Sequence, residues 1–472
     1  MTQRRVYLLT GLPEEVTAVA FAKCSRSPKP FDEIASDLNQ DKSRKFHEQW
    51  VMGYGHSSVA EHAVVHLALE NISILATKAV EDTRLASFTE KSTRYQKFDL
   101  NRCYRDERLM QQHGPLVEST LNQLFSTYAL VHEHVSELIK QKNPREADEK
   151  ENAYATRINA LACDVARYVL PVGTLTNVGV TINARSLEHC ITKLLSHSLR
   201  EMREIGAEMK SRAQQELPTL LKYAQKNAFL EETDFLLGNY FSQLHSLYPF
   251  SQSLSPPHKK FSNNPRENHV SLEEFDSQGL DKVLTALLYS HSYLSRKHVF
   301  EIVASSDKDR KIGILNDLMK KRGPKDSVPR AFEAIDYVFD ILLDYGAYRD
   351  IQRHRMLTPL PQLLTVQQGY STPKEIAFVG LKNEYTKVME ETARTVEQIS
   401  SDFPEESQYL IPLAYRIRVL QKMNLREVFQ FTELRSGKKG HPSYRKIAQQ
   451  MADEVIKVHP EFGRHLRIDR NE

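Results

Sequence analysis

Two stretches of this chain carry residues whose types and spacing could hold an anion. GHSSVAEH (Gly55 to His62) sets His56, Ser58, Glu61 and His62 just before a strand-like run. TRLASFTEKSTRY (Thr83 to Tyr95) then supplies Arg84, Ser87, Glu90, Ser92 and Arg94. A Ser-x-Arg pair at a strand end suits a phosphate, because hydroxyl and guanidinium donate together and the Arg fork matches phosphate oxygens. Much later, QRHR (Gln352 to Arg355) sets donors in a row that could grip a diphosphate. The same residues also suit a solvated polar loop and a basic helix end beside its carbonyls. His62 and His66 stand four apart with Glu61 adjacent. The order EHxxxH differs from HExxH and no further ligands cluster, so no metal site is expected. Asn424 to Arg445 is basic with aromatics between, as RNA binders are. However, Phe429 and Phe431 cannot share a helical face, so a stacking platform is disfavoured.

These stretches recur as parts of a longer pattern. Val16 to Ser25 matches Val283 to Ser292 at an offset of 267, and DTR (Asp82 to Arg84) falls where RHR (Arg353 to Arg355) falls, at 271. VLP (Val169 to Pro171) matches LIP (Leu410 to Pro412), and NAR (Asn183 to Arg185) matches NLR (Asn424 to Arg426), both at 241. Collinear landmarks at nearly constant spacing indicate a diverged duplication. The expected organisation is a first copy over residues 1–247, a Pro-, Ser- and Asn-rich linker over 248–278, and a second copy over 279–472. The expected fold class is α+β, with a mixed sheet and long helices in each copy. Strands are expected over Val6 to Thr10, His66 to Ile74 and Arg94 to Phe98. Helices are expected over Gly114 to Lys140, Ala153 to Val169, Ser186 to Leu217, Arg330 to Tyr345 and Leu425 to Val458.

Composition excludes several classes. With 64 Lys and Arg against 61 Asp and Glu, the net charge of +3 gives no bulk-charge case for nucleic acid or membrane partners. No apolar run reaches the ~20 residues of a membrane span, and Met1 to Thr10 is too short in apolar length for a signal peptide. Cys24, Cys103, Cys163 and Cys190 are scattered, which fits neither a disulfide framework nor a zinc finger. A cytoplasmic location is expected. Glycine numbers only 17, with no GxGxxG and no P-loop, so dinucleotide and Walker-type sites are disfavoured.

Taken together, the motifs resemble the flavin-dependent thymidylate synthases (the ThyX family), whose signature is RHRxxSxNxxSxRY. The first copy keeps Ser87, Glu90, Ser92, Arg94 and Tyr95 of it. The family's HxSxxEH element stands at His56, Ser58, Glu61 and His62, its ARxxLP at Ala166, Arg167, Leu170 and Pro171, and its NARSL at Asn183 to Leu187, followed by His189. The second copy keeps Arg353, His354 and Arg355, with Thr358 at the first serine position, and keeps Asn424, Arg426 and Arg435. It has no SxRY, and Gln408 replaces the ARxxLP arginine. The first copy in turn has Asp82, Thr83 and Thr89 where the family has Arg, His and Asn.

The resemblance implies synthesis of dTMP from dUMP, with FAD as cofactor and NADPH and methylenetetrahydrofolate as co-substrates. Another pyrimidine substrate or a non-catalytic descendant stays open. Ser92, Arg94 and Arg167 would hold the substrate nucleotide. Ser58, Glu61, Arg84, Glu90, Asn183, Arg185 and His189 would line the flavin site, as would Arg353, His354, Arg355, Asn424 and Arg426 from the second copy. Arg435 sits where the family orients the uracil, with Lys193 as the first copy's nearest equivalent. Family members are homotetramers, so a homodimer of tandem chains is expected, with sites composed from both halves.

Overall fold

The computed structural model describes residues 4–48, 57–247, 269–438 and 440–471. The fold is α+β, and it divides into two compact units that do not follow the expected contiguous split. Unit 1 comprises Met1–Asn122, Pro171–Pro256 and Thr395–Leu410; unit 2 comprises Gln123–Leu170, Pro257–Arg394 and Ile411–Glu472. Each half of the sequence therefore lends a segment to the other half's unit. Most of the expected linker lies outside the described residues, and its end, His269–Phe275, is a strand.

Unit 1 holds a three-stranded antiparallel sheet of β1 (Val64–Ser73), β2 (Ala86–Glu90) and β3 (Leu175–Asn183), ordered β1-β3-β2. Unit 2 holds β4 (His269–Phe275), β5 (Asp336–Asp344), β6 (Leu357–Pro361) and β7 (Arg416–Asn424), ordered β4-β5-β7-β6. The two sheets repeat one register. Ala86 faces Ile182 across β2 and β3, as Leu357 faces Met423 across β6 and β7. Ser73 faces Leu175, as Asp344 faces Arg416. One difference is a bulge between Leu69 and Ile72 in β1, where Asn71 takes a φ of 56°. An extra residue in one strand of a pair does this, and Asn tolerates the left-handed region.

Several expected elements change. Val6 to Thr10 forms no strand: Val6 is 91% and Leu8 87% exposed. An extended segment without ladder partners has no reason to persist as a strand. Arg94 to Phe98 is likewise not a strand, the edge being made by β2. The helix expected over Arg330 to Tyr345 is a short turn followed by β5. Its apolar residues fit either period, but Tyr337, Phe339, Ile341 and Leu343 alternate and are all fully buried. Ser186 to Leu217 is broken into Ala184–Leu195 and Arg200–Ala213. Leu425 to Val458 is broken into Leu425–Arg435 and Pro442–Val458, with Pro442 opening the second helix, where its missing N–H costs nothing.

In each unit a buried polar node caps the helix after the first core strand. In unit 1 Ser73 accepts from the Ala76 N–H at 2.9 Å and donates to Glu201 at 2.6 Å. In unit 2 Asp344 accepts from the Ala347 N–H at 2.8 Å, from the Ser443 hydroxyl, and from the Tyr168 hydroxyl at 3.4 Å. A side-chain acceptor at this position satisfies an otherwise orphaned helix donor. The exchanged segments reach these nodes. Gly173 donates its backbone N–H to Tyr409 in unit 1 at 2.9 Å, and Ala414 donates to Tyr168 in unit 2 at 3.0 Å.

Candidate functional site

The second repeat's basic triplet follows the Tyr345–Ile351 helix, which Asp344 caps. Arg353 and Arg355 are exposed, whereas the His354 side chain is only 7% exposed, between the triplet and the Leu425–Arg435 helix. Glu427 Oε1 lies 2.7 Å from His354 Nδ1, and Arg435 Nε donates to His354 Nε2 at 2.8 Å. The imidazole also packs on Phe431, with ring centroids 4.8 Å apart. Glu427, Phe431 and Arg435 follow at intervals of four, so one helical face builds this wall. Burial lowers the His354 pKa, which Glu427 opposes and Arg435 reinforces. Burial also lowers that of Arg435, whose guanidinium lies 5.5 Å over the Tyr444 ring within the fields of Asp350 and Arg353.

Arg167 arrives in this unit from the first repeat. It is 3% exposed and donates to Asp350 at 3.1 Å, one turn before the basic triplet. His441 caps the Pro442–Val458 helix nearby; burial first, then the Arg167 cation, pushes its pKa down to about 4. Asn424 spends its side chain on capping Glu427, and Arg426 pairs with Glu333 at 2.8 Å. Asn424, Arg426, Glu427, Phe429 and Gln430 line a cavity of about 220 Å3 together with Arg322. Phe429 and Phe431 are core residues, 1% and 0% exposed, which removes the RNA-stacking option.

Unit 1 has a different set. Asn183 caps its helix through Ser186. Arg185 pairs with Glu61 at 2.5 Å, and both are about two-fifths exposed. Ser58 is exposed in the Ser57–His62 turn, while His56 lies outside the described residues. Glu90 accepts from Thr77. Ser92 accepts from the Arg94 N–H at 3.1 Å, which fixes the Ser-x-Arg turn. Arg84 and His189 are exposed. The expected nucleotide trio is therefore divided: Ser92 and Arg94 belong to unit 1 and Arg167 to unit 2.

The structure also corrects one alignment and supplies another. Both Asn-capped helices start at an offset of 241, so Arg435 corresponds to Leu194, which is fully buried, and not to Lys193. Lys193 instead contacts Asp82 at 3.4 Å, and Lys78 holds the same carboxylate at 2.8 Å. Burial alone would raise the Asp82 pKa, but the two lysines outweigh it and hold it low. The bulge in β1 shifts the offset by one residue upstream, so Glu61 and Glu333 correspond and both units keep the same Glu–Arg pair. Sequence reasoning missed Glu427, Asp350 and Glu333. The bulge hid Glu333, while the other two are acids whose partners come from distant segments.

The family model described as "thymidylate synthase complementing protein" matches residues 7–219 and again 275–461. The chain belongs to that family, as a tandem member. A UPF0159 protein of Chlamydia pneumoniae is 33% identical over 489 residues, spanning 97% of this chain and 90% of the relative. A flavin-dependent thymidylate synthase of Clostridium tetani is 29% identical over 216 residues, 46% of this chain and 83% of the relative. A solved UMP/dUMP methylase from Streptomyces cacaoi is 15% identical, with a TM-score of 0.35, over 42% of this chain and 93% of that one. Burial pushes the Cys103 thiol up to about 12. Among the described residues no helix is long and apolar enough to cross a membrane.

Proposed function

We propose that the protein is a flavin-dependent thymidylate synthase-like methyltransferase that converts dUMP to dTMP at a site built in unit 2. The observation that carries this reading is the joining of Arg167, from the first repeat, to the second repeat's Asp350, Arg353, His354 and Arg435. It assembles in one unit the cations that the family motifs scatter over two copies. The residues present suit FAD: Arg426 and Gln430 set guanidinium and amide donors around a cavity beside the Phe429 ring. When bound, FAD reduced by NADPH supplies the hydride, and methylenetetrahydrofolate the carbon.

The side chains bind and polarise. Arg353, Arg355 and Arg426 draw the cofactor's phosphates, and Arg167 draws the substrate's phosphate, by charge-assisted hydrogen bonds. Arg435, fixed through its Nε, presents its remaining donors to a uracil that gains negative charge when N3 is deprotonated. Unit 1 supports only part of this chemistry. Its Asp82, held by Lys78 and Lys193, puts a neutralised carboxylate where unit 2 has Arg353. Ser92 and Arg94 leave it a phosphate grip, with Ser58, Glu61, Arg84, Glu90, Asn183, Arg185 and His189 around it as a partial cofactor wall. The assembly is a homodimer of tandem chains in the cytoplasm, to be tested by light scattering.

The decisive experiment adds FAD to purified protein and follows its absorption spectrum. It then measures tritium release from dUMP labelled at C5 in the presence of methylenetetrahydrofolate and NADPH. The expected result is FAD uptake and tritium release that Arg435→Ala abolishes. A protein that takes up no FAD and releases no tritium refutes the reading.

A further inference from the structure

Arg435 can meet a planar acceptor squarely only if its own guanidinium is held, and the structure holds it through His354, which is held in turn by Glu427, a residue given no role from the sequence. Arginine keeps its protons, so its Nε–H can only donate. His354 Nε2, 2.8 Å away, must therefore be the bare acceptor nitrogen of a neutral ring. The ring proton then sits on Nδ1, which faces Glu427 Oε1 at 2.7 Å. A carboxylate cannot donate when ionised, so Glu427 enforces this tautomer. Glu427 and His354 are each 7% exposed, so water does not compete for either contact.

The first repeat gives an internal control. At the positions of His354, Glu427 and Arg435 it has Thr83, Ser186 and Leu194. All three members are lost together, while the neighbouring Asn cap and the Glu–Arg pair are retained. A chain of three residues is of use only when complete, whereas a cap works alone.

We propose that Glu427 is a positioning residue for nucleotide recognition: it fixes the Nδ1–H tautomer of His354, which in turn locks the Arg435 guanidinium toward the pyrimidine. This rests on the unit 2 reading given under Proposed function. Glu427 does not touch the substrate; it acts through two intermediates. A further consequence is that the lock needs a neutral imidazole. The groups that face it are Glu427 and Arg435 on one helix, with Arg353, Asp350 and Tyr444 around Arg435.

The test compares the full-length protein with Glu427→Gln, which can present either an acceptor or a donor to Nδ1. Glu427→Ser is the second variant, since the first repeat folds with serine at that position. Nitrogen-15 spectra of the His354 ring read the tautomer, and calorimetry reads dUMP affinity. Steady-state kinetics separate KM from kcat. The expected result is a single Nδ1–H tautomer in the parent and mixed tautomers in both variants. dUMP binding should weaken about tenfold and KM rise with it. Unchanged tautomer, or altered tautomer with unchanged dUMP affinity, in the variant that folds overturns the proposal. A parent protein that binds no dUMP while showing the single tautomer removes the functional reading and the proposal with it. That outcome is distinguishable from failure of the tautomer lock alone.

Discussion

The buried cap nodes of the two units use the same chemistry with the parts exchanged. In unit 1 the cap is a hydroxyl, Ser73, and the carboxylate comes from Glu201; in unit 2 the cap is the carboxylate Asp344 and the hydroxyl comes from Ser443. A tyrosine from the other half of the sequence stands at each, Tyr409 beside Glu201 and Tyr168 beside Asp344. The proposed site shows no such exchange. Where unit 2 has Arg353, His354, Glu427 and Arg435, unit 1 has Asp82, Thr83, Ser186 and Leu194. A buried helix end must be satisfied in every copy, because an orphaned polar group costs free energy whatever the protein does. A ligand site is under no such constraint, so one copy can lose it while the fold survives.

The comparison can be broken most severely at Arg167. Arg167→Met removes the buried cation that pairs with Asp350 and should destabilise by about 3–5 kcal/mol. Gln408→Met, at the corresponding position in unit 1, should cost about 1–2 kcal/mol. Denaturant unfolding measures both, and equal losses would contradict the asymmetry. Next in size is a pH effect at His441, in unit 2. The His441 value is about 4 in the fold, against about 6.5 in the unfolded chain. The stability it contributes is complete above about 6.5. It falls as pH drops toward about 4, because the unfolded chain takes up a proton that the fold refuses, with a limit of roughly 3 kcal/mol. His441→Asn keeps a helix cap and should flatten that slope, as read from melting temperature against pH.

A smaller effect tests the exchange itself. Asp344→Ser and Ser443→Glu should each destabilise by roughly 1–3 kcal/mol. Together they rebuild unit 1's arrangement in unit 2, so the double variant should recover about 1–2 kcal/mol relative to additivity. Strict additivity in a double-mutant cycle would show that the two nodes are not equivalent. The smallest effect belongs to the surface pair both units share. Glu61→Gln should change stability by less than about 1 kcal/mol, because exposed ion pairs are weak. A larger loss in thermal melts would mean that the pair does more than neutralise Arg185.

Much of the fold was legible as repetition and little as local pattern. The offsets of 271 and 241 reappear as identical strand registers, since a duplicated sequence must pair its strands alike to bury the same face. β5 was misread as a helix because its apolar residues, in the run Tyr337 to Leu343, also fit a period near 3.6. The one-residue bulge at Asn71 was invisible, and with it the equivalence of Glu61 and Glu333. Arg435 and His354 were named from motifs, yet their contact spans 81 residues. Glu427, which completes it, looked like an ordinary acid in a helical first turn.

The sequence alone determined that the chain is a tandem pair, which motif residues each copy keeps, and which cations remain to meet a nucleotide. It could do so because residue identities and spacing survive as text. Tertiary structure decided which of those residues share a unit. Arg167 joins the second repeat, and Ser92 and Arg94 stay with the first, because Gln123–Leu170 packs into unit 2. That packing depends on burying apolar surface between segments far apart in the chain, and no local pattern records where such a segment will find its partner.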